Sequence, residues 1–438
     1  MKRGAPIIIL ISLLFFAGTA IGPQGSYGQD VLQMSIEEAV ALALRKSEDF
    51  QIAANEIDKM QYKYKEAKSA IYPHLEGEIT WAHNPEYPPA AYETTKDYSL
   101  DTGITINQVL WAFGRVSSAL RLADKYIAIS RFNKDITRQE IVYNTKLSYY
   151  NALLAERSLS IVRESYENAR RNKQLLEKRA SGGRSSKRDN IKMAADIASR
   201  VPRVNTAQAA FISAMRTFKT IIGVDEEVSV KLTDDFSTLY DKLDQEEIKG
   251  LLHENEPTLK ALRKQIDADE DMIKLKRAGF LPTISAFATW NYRGIGDTYD
   301  VRRDNLDHYA VAGLKVTVPI WMGGETGAQL RQVMIDKEND ILRLNRTTKE
   351  FVLGLDNAIS EYHEYIKTLQ ANNEAVKLAR ESFKMTRDLF ETGQVSLADL
   401  NDAELLLTNE KLAMELTLYN LNAALAKIER LTVRELKK

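Results

Sequence analysis

The sequence is one motif used twice, and that duplication restricts the fold more than any other feature. Sliding the chain by 209 residues places Glu37, Leu42, Asp58, Pro73, Thr80 and Trp81 on identical residues at Glu246, Leu251, Asp267, Pro282, Thr289 and Trp290. At an offset of 210, Gly103, Trp111, Gly114, Gly183, Ser186 and Asp189 fall on Gly313, Trp321, Gly324, Gly393, Ser396 and Asp399. Two copies of one supersecondary unit must bury their apolar faces on each other or on further copies.

Each copy opens with a segment, 36–70 or 246–279, in which apolar residues recur at helical spacing among many charges. Pro73 or Pro282 ends it, because proline has no N–H and restricts the residue before it. Alternation with period two follows. Leu75, Gly77, Ile79 and Trp81 share one face, opposite His74, Glu76, Glu78 and Thr80. In the second copy Ile284, Ala286, Ala288 and Trp290 oppose Thr283, Ser285, Thr289 and Asn291, with Phe287 the exception. Turn-rich loops at 84–97 and 293–307 lead to return strands at 99–110 and 309–318. Strands of roughly ten residues match the length a tilted strand needs to cross a bilayer. Half-buried strands of a soluble sheet alternate in the same way, so context decides. All four tryptophans, Trp81, Trp111, Trp290 and Trp321, are expected at or near strand ends, where amphipathic rings favour a membrane interface.

A glycine turn then leads into a proline-free helical stretch, 116–178 or 326–391. At 1.5 Å per residue each is a rod of about 95 Å, longer than a globular domain needs. Apolar residues interleaved with charges imply coiled-coil-like packing. A turn at Gly182-Gly183 or Gly393 reverses the chain, and a return helix runs to 222 or 431. Pro202, without a counterpart in the second copy, predicts a kink or break near Val201. Both turns carry Gly-x-x-Ser-x-x-Asp: Gly183, Ser186, Asp189 and Gly393, Ser396, Asp399.

This doubled order of helix, proline, strand, loop, strand, long helix, glycine turn and return helix resembles the TolC family of outer-membrane efflux channels over about residues 30–436. The resemblance implies a mainly α fold with a transmembrane β part, in two repeats, 29–222 and 246–431. An equatorial segment, 223–245, joins them, and a short tail, 432–438, follows. It also implies a homotrimer in which four strands per chain build a shared barrel continued by a helical tunnel. Physics agrees on closure: four strands leave two open edges in hydrocarbon and cannot enclose a lumen, so copies must combine. In that frame Leu75, Ile79, Leu314 and Val316 face lipid, and Glu76, Glu78, Asp101 and Lys315 face the lumen. The implied partners are outer-membrane lipid, a periplasmic adaptor docking on the tips around Gly183, Ser186, Gly393 and Ser396, and an inner-membrane transporter that supplies energy.

The tips also have a local explanation. Ser186 with Asp189, and Ser396 with Asp399, fit capping boxes. In the family, aspartates after this turn form rings that constrict the periplasmic entrance, and the matching positions are Asp399 and Asp402. Asp402 has no capping role and is the better gate candidate; its counterpart in the first copy is Lys192. Where well-known members lock the entrance with a tyrosine and an arginine, this chain has Phe390 and Val395, which cannot form those hydrogen bonds.

Lys2 and Arg3 precede an apolar stretch at 7–20 and small residues at Ser26 and Gly28, the pattern of a secretory signal peptide over 1–28. The absence of cysteine excludes disulfides, thiolate metal sites and an N-terminal lipid anchor. Sixty basic against 61 acidic residues give no electrostatic case for nucleic acid. None of the five histidines has metal-pair spacing, and no phosphate loop or nucleophile elbow is present, so neither enzyme activity nor a cofactor is expected. The competing reading is a secreted coiled-coil scaffold whose hairpins pack as a soluble sheet.

Overall fold

The computed structural model describes residues 31–83, 85, 96–181, 186–236, 245–299, 301 and 306–434. The expected signal peptide, the turn glycine Gly183 and most of the C-terminal tail lie outside them. The first copy comprises β1 (Leu32–Met34), α1 (Ile36–Lys46), α2 (Glu48–Ser69), β2 (His74–His83), β3 (Tyr98–Trp111), α3 (Arg115–Ser181) and α4 (Lys187–Ile222). β4 (Val230–Leu232) lies between the copies, and the second comprises α5 (Gln245–Asn255), α6 (Pro257–Arg277), β5 (Thr283–Gly296), β6 (Leu306–Thr317), α7 (Glu325–Thr392) and α8 (Leu397–Thr432). At 68 residues, α7 is a rod of about 100 Å. No helix among the described residues is long and apolar enough to cross a membrane.

Several sequence expectations need correction. Each opening segment is two helices rather than one. Ser47 is at once the C-cap of α1 and the N-cap of α2, where its hydroxyl accepts from Phe50 N–H at 3.2 Å. The second break follows from Pro257 at the first turn of α6, which holds Glu256 extended. β5 continues through 293–296, which sequence reading assigned to a loop, so Trp290 lies mid-strand rather than near an end. Trp321 lies beyond the end of β6. Pro202 does not break α4, which runs unbroken through it.

The sheet order is β2-β3-β5-β6, antiparallel throughout, so β3 pairing with β5 welds the two copies together. β2 and β6 are its edges. A smaller parallel pair, β1 with β4, ties the start of the chain to the segment between the copies. The apolar cores lie along the rods. One gathers Ile36, Tyr149, Phe218 and Phe236 around the first copy, and a second gathers Leu252, Leu355, Tyr362 and Ile428 around the second. The third lies at the helical tip, drawn from both hairpins: Leu176 and Met193 with Phe383, Phe390, Leu400 and Leu407.

Two acids on α6 sit in opposite environments. Asp271, 1% exposed, is a hub: burial alone would raise its carboxyl, but Lys125 at 2.7 Å and Arg121 at 3.1 Å hold it down at about 2. Asp269, 6% exposed, accepts from Gln265 at 3.0 Å, while its Oδ2 has neither solvent nor a donor. Burial, reinforced by Asp340 and Asp336 of α7, pushes it up to about 6. Because its folded value is raised, the unfolded chain ionises first as pH climbs from about 4 to 6, and stability falls over that window. Asp269→Asn should therefore raise the thermal midpoint of the helical circular-dichroism signal at pH 7.5 and not at pH 4.5. An equal shift at both pH values excludes this account.

Candidate functional site at the sheet and the helical tip

Direct cross-strand partners share a face, so the registers sort the whole sheet. One row runs Leu75–Ile106–Ala288–Ala312, the next Gly77–Ile104–Trp290–Ala310, and the next Ile79–Thr102–Tyr292–His308. Leu314 and Val316 extend the same face opposite Ala286 and Ile284. This face is apolar and open: Leu75, Ile79, Ile104, Trp290, Leu314 and Val316 are all more than half exposed. Toward the loop end it carries an aromatic group. Trp81 lies 5.7 Å from Tyr98, and Trp290 lies 6.1 Å from Tyr292, a pairing that sequence reading missed for both tyrosines.

The opposite face is polar. Glu76 pairs with Thr105 and Glu78 with Gly103, Asp101 faces both Thr80 and Arg293, and Lys315 pairs with Ser285. Side chains here satisfy one another: Thr105 meets Thr289 at 3.2 Å and Asn291 donates to the Tyr309 hydroxyl at 2.8 Å. Phe287, with its ring against Gly313, and Val311, opposite Thr289, are apolar exceptions on it.

The far end of the rods carries the turn at Gly393 and the starts of α4 and α8. Gly393 takes φ 86° as C-cap of α7, a left-handed conformation that glycine reaches without Cβ strain, and its N–H closes onto Leu389 and Phe390 carbonyls. Ser396 then starts α8 with a full capping box: Asp399 N–H donates to its hydroxyl at 3.3 Å, and Ser396 N–H donates to the Asp399 carboxylate at 2.9 Å. The Ser396 hydroxyl, donating to the same carboxylate at 2.6 Å, and then the Ser396 N–H lower the Asp399 carboxyl. Ser186 caps α4 through its hydroxyl, which accepts from Asp189 N–H at 3.1 Å. Asp402 is exposed and has no hydrogen bond or ion pair among the described residues. Phe390 is 1% exposed inside the tip core, and Val395 packs half-buried against it. Both therefore knit the two hairpins of one chain together.

Sequence reading gave no hint of a buried ion pair higher on these helices. Arg200 of α4 and Glu404 of α8 are 8% and 1% exposed and in direct contact. Arg200 also reaches Asp196 at 3.0 Å and the Ser165 hydroxyl of α3 at 2.7 Å. The two are not at matching positions in the two copies, so the repeat could not reveal them.

A four-stranded sheet with one open apolar face, set at the head of two helical hairpins, defines a subunit of a membrane duct. The profile of the Outer membrane efflux protein family matches residues 39–224 and 250–432, and the chain belongs to that family. It is 22% identical over 404 residues to the alkaline protease secretion protein AprF of Pseudomonas aeruginosa, covering 86% of this chain and 79% of that one. It is 21% identical over 359 residues to the outer membrane efflux protein BepC of Brucella suis, covering 80% and 74%. The CmeC outer membrane channel of Campylobacter jejuni shares the fold with a TM-score of 0.79 at 15% identity, over 91% of this chain and 85% of that one.

Proposed function

We propose that this chain is the outer-membrane exit duct of a tripartite efflux or type I secretion system. The observation that carries the reading is the open sheet: β2 and β6 are unpaired edges, and one face is mainly apolar and largely exposed. Lipid covers that face only if the edges close, because an unpaired N–H or C=O in hydrocarbon costs several kcal/mol. A cyclic homotrimer closes them, making one twelve-stranded barrel from three sheets of four. The apolar face then meets lipid, with Trp81, Trp111 and Trp321 serving its margins and Trp290 in its middle. Glu76, Glu78, Asp101 and Lys315 line the lumen. A signal peptide exports the chain, the rods span the periplasm, and the tips around Gly183, Ser186, Gly393 and Ser396 receive a periplasmic adaptor. That adaptor couples the duct to an inner-membrane transporter, since the duct holds no energy source of its own.

At the tip, Asp402 makes the gate, one carboxylate from each of three copies around the axis. Asp399 and Asp189 are occupied at their helix starts. The experiment is the mass of the detergent-purified protein by light scattering together with single-channel current in a planar bilayer. A conducting, cation-preferring trimer supports the duct, and Asp402→Ala should raise its conductance and lower that preference about two- to threefold, as expected when a charged ring sets local ion concentration. A detergent-free, non-conducting monomer overturns the duct. A conducting trimer indifferent to Asp402 overturns the gate alone.

A further inference from the structure

Residues 132–146 of α3, the α5–α6 junction and the end of α8 border an open pocket of about 280 Å³. Phe132, Val142, Pro257 and Ala426 give it an apolar floor. Its charged lining is Arg138, Lys146, Lys260, Arg430 and Arg434 against only Asp135 and Glu429. Three of these cations have counter-ions: Lys146 lies 2.7 Å from Glu429, Arg434 2.8 Å from Glu247, and Arg430 3.6 Å from Glu140. The side chains of Arg138 and Lys260 have no ion pair or hydrogen bond among the described residues. Glu256, the buried acid at the start of α6, is already accepting from the Thr258 hydroxyl at 2.8 Å and its N–H at 3.3 Å.

Val433, also in the wall, closes α8 as its left-handed C-cap at φ 56°. The Arg430 guanidinium stacks over the Tyr143 ring at 5.2 Å and forms a flat, rigid side suited to a planar body.

We propose that this pocket binds a small organic anion with a planar apolar body, an aryl carboxylate or sulfonate. Phe132 and Pro257 contact the body. Arg138 and Lys260 hold the anionic group, Arg138 through the paired N–H donors that match a carboxylate. The volume is near the lower end of ligand pockets, about 300–1,000 Å³, and suits two fused rings rather than a larger cargo. The site stands independently of the duct.

The probe is 2-naphthoate, titrated by calorimetry into the full chain in a non-ionic detergent, with neutral 2-naphthamide as its isostere. Saturable binding of one naphthoate per chain is expected, with naphthamide at least tenfold weaker. Arg138→Gln with Lys260→Gln should weaken naphthoate at least tenfold while the helical circular dichroism and the particle mass stay unchanged, since neither side chain holds another element. Equal binding of the two probes, or unchanged naphthoate binding in the charge variant, means partition into micelle or sheet and overturns the site. Absence of saturable binding overturns it as well.

Discussion

Ile106→Arg costs the membrane-inserted protein about 2–4 kcal/mol, whereas Asn107→Arg, one residue later, costs within about 1 kcal/mol. Both positions are exposed on the inner strand β3, so neither change opens a cavity in the chain or meets a neighbouring core. Ile106 lies between Leu75 and Ala288, in the middle of the apolar rows. Asn107 lies between His74 and Phe287 on the other face. A guanidinium at 106 would stand in hydrocarbon, and one at 107 in the aqueous lumen. Urea unfolding in phospholipid vesicles, followed by tryptophan fluorescence, measures both. Equal costs mean that neither face meets lipid. A reversed order puts the polar face outward, which the pairing of Asn291 with Tyr309 and Thr105 with Thr289 argues against.

The elements legible in the sequence are those whose cause is local. Alternation from Leu75 to Trp81 is a property of neighbouring residues, and β2 follows it to within a residue. The rods announced themselves by their lack of proline, and the turn at Gly393 by a glycine followed by a capping serine. What was missed depends on contacts between distant segments or on weak local signals. Ser47 stops one helix and starts the next through one hydroxyl, and serines inside helices are too common to mark a break. Pro202 looked disruptive, yet α4 continues because packing on α3 outweighs one lost hydrogen bond. At the tip the resemblance pointed to Phe390 and Val395 by position alone. Only the three-dimensional packing shows that their apolar side chains are used for cohesion. Arg200 and Glu404 lie 204 positions apart, beyond any periodicity.

That pair carries the second large effect. Glu404→Ala should lower the local opening free energy of α4 and α8 by about 3–5 kcal/mol, because it strands a buried guanidinium with Asp196 as its remaining counter-ion. Arg200 also loses an anchor that joins three helices, since its other bonds run to Ser165 of α3. Glu404→Gln, which keeps the volume and an acceptor, should cost less. The double change Arg200→Met with Glu404→Leu should return to within about 1 kcal/mol of the parent, as apolar replacements of buried pairs do. Amide hydrogen exchange over residues 190–205 and 397–415 reads these local openings, while exchange in the distant sheet should not move. The cycle isolates the pair from the packing each side chain also provides. If the double variant opens as readily as Glu404→Ala, the loss is one of packing and the ion pair does not set how firmly the two hairpins hold. If it recovers, the strength of that hold rests on burying the charge with its partner. Any movement that parts α4 from α8 must then separate Arg200 from Glu404 and meet that cost.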